Sequence, residues 1–317
     1  MKFVLTWMIC KASIITLILV IMFAITILSS KSITTSYGYS PCNCVIFVMD
    51  DMADHGFNNV QVATMDYFIS KNMPFTASIV VNNTGNVSDS RVLDKVKEGI
   101  DKKLFEIAIH GYRHINHSLL TKEEQKDQFI KANERLEYLF GKRADIFIPP
   151  FNDFNLGTIE AMSELNISLL STSSRIENTT INPYKSQALV ETNNSKIQVS
   201  KISDQEPLVY HAPVSFSILA LQRNGLFGDD LVHEVLRLID ESIAKYGFAQ
   251  VRLHPSDFAQ LDTTTGKLIN KVDNMKFQDL IKTVDSLAAR NIKIASFAEI
   301  YPHTRYTSSS SVIELFQ

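Results

Sequence analysis

The feature that most restricts the fold of this 317-residue chain is a regular alternation of short apolar runs with longer segments of helical period. The alternation is visible in the runs CVIFVMD, FTASIVV and FEIAIH, and in the segments NNVQVATMDYFISKN and DSRVLDKVKEGIDKK that follow the first two. This order predicts strands and helices in turn. Because the runs are continuously apolar, both faces of each strand should be covered, which is typical of a parallel sheet wrapped by helices.

The number of these units favours a barrel. Seven or eight strand–helix units occur over about 260 residues, which matches the size of a closed or nearly closed α/β barrel. A doubly wound open sheet is the alternative. We expect the folded domain to span residues 42–300. A polar linker at 31–41, rich in serine and threonine, should precede it, and a C-terminal tail at 301–317 should follow it.

The segment 1–30 differs in composition from the rest of the chain. Lys2 and Lys11 flank an apolar stretch, and residues 12–28 then contain no charged side chain. At about 1.5 Å per helical residue, this run covers most of a hydrocarbon core of about 30 Å, which favours an uncleaved membrane anchor. A cleaved signal peptide is the alternative, because residues 30–32 have the small-x-small spacing of a cleavage site. In both cases the lysines favour export of the remaining chain, which would be membrane-anchored or secreted.

Composition excludes one class of partner and agrees with export. The net charge of −3 and the pI near 6.2 argue against a nucleic-acid partner, because phosphates require a basic surface. Six Asn-x-Ser/Thr motifs fit an exported chain that is glycosylated. These motifs begin at Asn82, Asn86, Asn116, Asn166, Asn178 and Asn193.

The three cysteines do not predict a disulfide framework. Cys10 lies in the apolar N-terminal segment, and Cys42 and Cys44 are too close together to link distant parts of a fold. A Cys-x-Cys pair alone also lacks the spacing and the further ligands of a zinc site. We therefore expect Cys42 and Cys44 to be two small residues at the entrance of the first strand.

Polar residues end several of the predicted strands. In a parallel α/β barrel the functional site lies at the C-terminal ends of the strands, so these residues are the candidates. They are Asp50 and Asp51 after the first run, His110 and His114 after the third, Pro149 to Asn152 after the fourth, and His254 with nearby Asp257 after the seventh. Each motif is common in isolation. These motifs indicate a functional site because all of them fall at the same end of successive predicted strands. The sixth run carries His211, whereas His55, His117 and His233 are expected in loops or on helix surfaces.

Three of these side chains form a ligand set for a metal ion. Asp51 offers a carboxylate, and His110 and His114 offer imidazoles, which would leave coordination positions for water and substrate. The four-residue spacing lets the two rings converge if the chain turns after His110, and Gly111 permits such a turn. An iron(II) oxygenase uses similar ligands, but the helix-rich alternation argues against the double-sheet β fold that usually carries that chemistry.

The order of the motifs resembles that of a known enzyme family. FVMDDM, HGYRH, FIPPFN and RLHP are similar to the successive motifs of the polysaccharide deacetylases, also called NodB-homology proteins or family-4 carbohydrate esterases. The resemblance extends from about Cys44 to Phe297. It implies a distorted (β/α) barrel of about seven parallel strands and a divalent metal ion, usually zinc. It also implies hydrolysis of an N-acetyl, or sometimes O-acetyl, group on a cell-envelope or extracellular glycan.

The resemblance gives each motif an expected role. Asp50 would be the general base, and His254 the general acid for the leaving amine. The metal ligands would be Asp51, His110 and His114. The substrate pocket and oxyanion hole would be formed by Pro150, Phe151 and Asn152, with the backbone N–H of Phe151 as a donor.

Departures from the family pattern predict a divergent member. Ile148 stands where the family has the arginine that pairs with the base, so Asp50 is expected to pair with Arg252 or Arg113 instead. Asn152 replaces the usual glycine.

The tryptophan motif of the family has no counterpart, because the only tryptophan, Trp7, lies in the N-terminal segment. Phe151 and Phe258 are candidates for lining the acetyl pocket in its place. These departures leave open an alternative function, namely a catalytically degenerate carbohydrate-binding or envelope-structural protein on the same barrel.

Overall fold

The computed structural model describes residues 42–85, 88–173, 200–201 and 209–300, which belong to one compact unit. The strands are β1 (Cys44–Met52), β2 (Phe75–Ile79), β3 (Phe105–Ile109), β4 (Ile146–Phe147), β5 (Leu169–Ser173), β6 (Ser200–Lys201), β7 (Tyr210–Val214), β8 (Phe216–Ser217), β9 (Phe248–Leu253), β10 (Ala259–Asp262), β11 (Lys267–Val272) and β12 (Lys293–Ile294). The helices are α1 (Asn58–Ser70), α2 (Arg91–Asp101), α3 (Lys122–Phe140), α4 (Leu156–Glu164), α5 (Ile218–Arg223), α6 (Gly228–Tyr246), α7 (Asn274–Ala289) and α8 (Phe297–Ile300).

Eight of the strands form a nearly closed parallel barrel. The order of neighbouring strands is β7-β5-β4-β3-β2-β1-β9-β8, with β6 antiparallel to β7 and β12 parallel to β1. Only Ser215 separates β7 from β8, so they are two halves of one broken strand, of which β7 pairs with β5 and β8 with β9. The ring therefore has seven positions. The predicted barrel of about seven parallel strands is confirmed, and the open-sheet alternative is wrong.

Alternate residues of the strands pack on the two sides of the barrel wall, as the period of two requires. In β1, Val45, Phe47 and Met49 belong to the core between the strands and the helices. Cys44, Ile46 and Val48 belong to a second cluster inside the barrel. The interior cluster also contains Ala108, Ile146, Ile148, Leu169, Ala212 and Phe248 from the other strands. Both faces of the strands are thus buried, which explains why the runs are apolar throughout.

Helix α8 covers the N-terminal end of the barrel. The backbone N–H groups of Phe297 and Ala298 donate to the carboxylate of Glu106 on β3, at 2.8 and 2.9 Å. The side chain of Phe297 packs with the interior cluster. The opposite end of the barrel, where the strands have their C-termini, is open.

Local sequence signals set the ends of the helices. α3 begins with a capping box, in which the Thr121 hydroxyl accepts the N–H of Glu124 and the Glu124 carboxylate accepts the N–H of Thr121. It ends at Gly141, whose φ of +69° is a left-handed conformation that glycine adopts without strain. α7 begins after Asp273, whose carboxylate accepts two backbone N–H groups of the first turn. Because caps and periodicity are local signals, the predicted helices agree closely with the observed ones.

The structure differs from the sequence-based expectations at several positions. Cys42 and Cys44 form a disulfide with their Cα atoms 5.1 Å apart, a bond that was not predicted, although it joins only near neighbours. The placement of His117 on a loop or helix surface is wrong. Its ring is buried, with ring centroids 5.5 Å from Phe129 and 4.8 Å from Phe147. The antiparallel hairpin of β10 and β11 was also not predicted.

Several expectations concern residues outside the described part of the chain. These are the apolar segment 1–30, the linker 31–41, the tail 301–317, and the motifs at Asn86, Asn178 and Asn193. Within the described ranges, no helix combines the length and the apolar character needed to cross a membrane. Among the described glycosylation motifs, Asn166 is exposed, whereas the side chain of Asn116 accepts the N–H of Ser118 and caps a 3₁₀ turn.

Candidate metal centre and active-site cavity

The alternation of side chains along the strands places several polar residues in the open end of the barrel. Asp50 follows the inward-facing Val48 by two residues, and His110 follows the inward-facing Ala108 in the same way. Since residues two apart lie on the same face of a strand, both side chains point inward at the C-terminal end. They are 2% and 3% exposed, respectively. Arg252 follows the inward-facing Phe248 of β9 by four residues, so it also points inward, and it is buried.

A bulge in β1 brings two consecutive aspartates to one site. Adjacent residues of a regular strand point to opposite faces. Between Met49 and Met52, however, β1 has one more residue than its partner β2, and Asp51 has a φ of +60°. Aspartate tolerates this left-handed conformation better than most residues. As a result, Asp50 and Asp51 line the same cavity.

The predicted metal ligands lie together. Asp51 Oδ1 is 3.2 Å from Nε2 of His110 and 3.0 Å from Nε2 of His114. One ligand atom from each residue lies within 4.8 Å of the other two. The turn that makes this possible has Gly111 at φ +80°, where a Cβ atom would lie 2.3 Å from the backbone oxygen of Arg113. The turn therefore requires glycine, as its position between the two histidines suggested.

The hydrogen bonding of His110 fits a cation in this position. Its Nδ1 lies 2.7 Å from the carbonyl oxygen of Ile148, so Nδ1 carries the proton and donates. In the neutral ring, Nε2 then presents a lone pair to the Asp51 carboxylate, which is also an acceptor. Two acceptors at 3.2 Å repel each other unless a positive charge lies between them. In metal sites, a carbonyl oxygen usually accepts a hydrogen bond from the other ring nitrogen of a ligand histidine and so fixes its tautomer.

The pKa shifts of Asp51 and His110 also indicate that the site favours a cation. Burial raises the pKa of Asp51, but the hydrogen bonds and charges of His110 and His114 outweigh it and hold that pKa far below its usual range. Burial lowers the pKa of His110, but the carboxylates of Asp50 and Asp51 outweigh it, and the pKa of the ring is raised. The set therefore has a strong preference for positive charge at its centre.

Asp50 pairs with Arg252. Oδ2 of Asp50 lies 3.0 Å from Nε of Arg252, and both side chains are 3% exposed. The Nε–H bond does not point along this contact, which is therefore an ion pair rather than a hydrogen bond. The other oxygen of Asp50 is buried and has no hydrogen-bond partner among the described residues. Of the two arginines considered, Arg252 is thus the partner, while Arg113 is exposed.

His254 is held at the edge of the cavity by its own backbone. Its N–H donates to Oδ2 of the buried Asp257 at 2.8 Å, while Nδ1 of the ring lies 3.9 Å from the same oxygen, too far for a hydrogen bond. Burial lowers the pKa of His254. Burial also raises the pKa of Asp257 well above its usual range.

The candidate metal ligands, Asp50 and His254 all line one open cavity of about 520 Å³. One wall comes from the loop after β4, with Pro149, Phe151 and Asn152. Another wall comes from β8 and α5 and consists of Ser217, Leu219, Ala220, Arg223 and Asn224. No sequence motif indicated this second wall, because it depends on a short helix that follows a broken strand.

The loop after β4 places its residues differently from one another. Phe151 is 61% exposed, and its ring meets that of His114 edge-on at 4.7 Å between centroids. Pro150 is buried in the 3₁₀ turn and does not line the cavity. Phe258, the other candidate for the acetyl pocket, is also absent from the lining and packs in the outer core, so that assignment is wrong.

Comparison with known proteins agrees with this fold. Residues 38–170 match the polysaccharide deacetylase family. A crystal structure from Mycobacterium smegmatis, classed with the polysaccharide deacetylases, is 15% identical with a TM-score of 0.55, covering 81% of this chain and 88% of that one. The Bc1960 peptidoglycan N-acetylglucosamine deacetylase is 14% identical with a TM-score of 0.53, covering 83% and 90%.

A family-4 carbohydrate esterase pseudoenzyme from Bacillus anthracis is 14% identical with a TM-score of 0.49, covering 83% of this chain and 66% of that one. The comparison with curated proteins gave no match. At these identities the two structures with TM-scores of 0.53 and 0.55 support the barrel fold alone, and the similarity to the family rests on the match over residues 38–170. The chain therefore resembles the polysaccharide deacetylase family over residues 38–170, in the manner of a divergent member.

Proposed function

We propose that this protein is a metal-dependent hydrolase that removes acetyl groups, mainly N-acetyl groups, from a cell-envelope or extracellular glycan. The observation that carries the proposal is the convergence of a three-ligand set, a paired carboxylate and a histidine on one open cavity. A cavity of about 520 Å³ open to solvent has room for one sugar unit of a longer chain. The match of residues 38–170 to the polysaccharide deacetylase family supports the same reaction class.

The ligand set suits zinc. Asp51, His110 and His114 would hold the ion, and two imidazoles with one carboxylate are ligands that zinc accepts while keeping a position for substrate. When bound, such an ion would polarise the acetyl carbonyl and lower the pKa of a neighbouring water toward 7.

Asp50 and His254 would handle the protons. Asp50 lines the cavity beside the ligand set, and its carboxylate is paired with Arg252, so Asp50 would accept a proton from the attacking water. His254 lines the same cavity and would donate a proton to the leaving amine. A backbone N–H of the loop, that of Phe151 by the family resemblance, would contribute about 3 kcal/mol by binding the oxyanion.

The location of the reaction is part of the proposal. The apolar segment 1–30 would hold the enzyme at the cell membrane with its barrel outside the cytoplasm, or direct its secretion if cleaved. Glycans of the envelope or the surroundings would then be within reach. Fractionation of cells, with protease added from outside, tests this part independently of activity.

Metal content tests the first step of the proposal. The purified full-length chain should hold about one divalent ion per chain, and Asp51→Ala, His110→Ala and His114→Ala should each lose most of it, because removing a ligand breaks the set. His233→Ala is the matched control, since His233 is exposed on α6 and its loss should leave the metal in place. Unchanged metal content in His110→Ala would contradict the assignment.

Acetate release tests the second step. The metal-loaded protein is incubated with a panel of N-acetylated and O-acetylated glycans, and Asp50→Asn and His254→Ala should each lower the rate by about 100-fold or more. The competing function is a carbohydrate-binding or envelope-structural protein, which the absence of the family arginine at Ile148 and of the tryptophan motif favours. A stoichiometric metal and measurable glycan binding, without acetate release from any glycan, would support that alternative.

A further inference from the structure

The guanidinium of Arg252 is held by more than the carboxylate it pairs with. Nη1 donates to the side-chain oxygen Oδ1 of Asn152, and Nη2 donates to the carbonyl oxygen of Ser171 at 3.4 Å. Together with the Asp50 contact at 3.0 Å, these bonds place three partners around one buried cation. The partners come from β1, from the loop after β4 and from β5.

We propose that Arg252 and Asn152 form a positioning pair for the active site, in which Arg252 orients the carboxylate of Asp50 and Asn152 fixes the guanidinium of Arg252. This inference rests on the function proposed for the site. It concerns two residues that line the cavity next to the candidate metal ligands, and it assigns a role to the side chain of Asn152 through Arg252.

Burial is the first argument for the pair. The side chains of Asp50 and Arg252 are each 3% exposed, and a buried charge is tolerated only when it is paired and hydrogen-bonded. Neither charge forms an ion pair with any other described residue. Because the contact with Arg252 is the ion pair that Asp50 forms within the described part, it fixes the orientation of the carboxylate at the cavity.

The conformation of the loop is the second argument. Asn152 has a φ of +59°, a conformation that glycine adopts most easily and asparagine next. Backbone geometry alone would therefore be served equally well by glycine. The side chain provides something glycine cannot, namely the oxygen that accepts from Arg252.

The same residue is tied to the neighbouring strand. The backbone oxygen of Asn152 accepts a hydrogen bond from the hydroxyl of Thr172 at 3.1 Å. Through Asn152, the loop that carries Phe151 is thus linked both to β5 and to the partner of Asp50. A shift of this loop would move the guanidinium and with it the carboxylate.

The kinetic test compares Arg252→Gln, Arg252→Lys and Asn152→Gly. A misplacement of about 1 Å in a reacting group costs about 100-fold in rate, so Arg252→Gln should lower kcat by about 100-fold with KM changed little. Arg252→Lys should recover part of the loss, since it keeps the charge without the forked geometry. Asn152→Gly should lower kcat by about tenfold and should have no further effect in the Arg252→Gln background. Metal content should stay at the wild-type level throughout.

A role in folding alone would give a different pattern. It would lower Tm and metal content together and leave kcat per bound metal unchanged in Arg252→Gln, which would overturn the proposal. Wild-type kcat in Asn152→Gly, or equal effects of Asn152→Gly with and without Arg252, would also overturn it.

The pair can be tested without any turnover. In a thermal-unfolding cycle of Asp50→Asn and Arg252→Gln, each single variant leaves one buried charge unpaired, so the double variant should have a higher Tm than the additive expectation. Additive Tm changes would overturn the positioning pair. Coupled Tm changes in a protein that releases no acetate would leave the pair standing and reject the proposed function, so the two failures are distinguishable.

Discussion

His117 should make the folded protein sensitive to mild acid. The ring is buried between Phe129 and Phe147, and neither of its nitrogens has a hydrogen-bond partner among the described residues. Burial lowers the pKa of the ring from an ordinary 6.5 to about 4. The side chain of Gln125 favours the charged ring slightly, but its oxygen forms no hydrogen bond of acceptable geometry. The folded state therefore holds this histidine neutral.

The direction and size of the effect follow from the two pKa values. Between pH 6.5 and about 4 the unfolded chain binds a proton at His117 that the folded chain does not bind, so the free energy of unfolding falls as the pH falls through this window. The shift corresponds to about 3 kcal/mol lost by pH 4, of which about 2 kcal/mol is lost by pH 5. His211, whose pKa burial also lowers to about 4, should add a similar dependence.

The test is His117→Phe, which keeps an aromatic ring between its two neighbours and removes the titration. Urea unfolding of the full-length chain is measured at pH 7.5 and pH 5.0, with metal removed by chelator so that the ligand histidines behave alike in all variants. The variant should lose about 2 kcal/mol less than the wild type between the two pH values. His233→Phe, at an exposed position, should lose as much as the wild type. An equal loss in His117→Phe and wild type would refute the reasoning.

Three further outcomes follow from individual residues. Gly111→Ala should reduce the metal content severalfold, as measured by metal analysis. The Cβ of alanine would lie 2.3 Å from the backbone oxygen of Arg113, so the turn between His110 and His114 would have to open. Phe151→Ala should raise KM for a glycan about five- to tenfold, by loss of an exposed ring at the cavity, with Tm unchanged. Asp54→Ala should cost about 3 kcal/mol in urea unfolding, because its buried carboxylate accepts two backbone N–H groups at 2.7 and 3.0 Å.

The barrel and the clustering of Asp51, His110 and His114 could be predicted because their signals are local. Continuous apolar runs show that both faces of the strands are buried, and the residue that ends such a run lies at the C-terminal end of the barrel. Gly111 between two histidines predicted the turn that brings their rings together, and the structure has a positive φ at that residue. These inferences need only residues within a few positions of one another.

The parts that could not be predicted depend on residues distant in sequence. Asn152 and Arg252 are 100 positions apart, and nothing in either segment indicates their contact. The burial of His117 likewise depends on rings contributed by α3 and β4. The bulge at Asp51 was not visible either, since the sequence shows two aspartates but not the extra residue relative to β2 that turns the second one toward the site.

The barrel also explains how this chain can have Ile148 where the family it resembles has an arginine and still have a paired carboxylate at Asp50. Ile148 and Arg252 both point into the barrel, and β9 is a direct neighbour of β1, with Val48 opposite Arg252. Inward positions near the same end of a barrel converge on one small volume, so a long side chain can reach the same carboxylate from more than one strand. An interaction can therefore persist while the residue that provides it moves. The absence of arginine at position 148 is for this reason a weak argument for a degenerate site, and the environment of Asp50 is the stronger criterion.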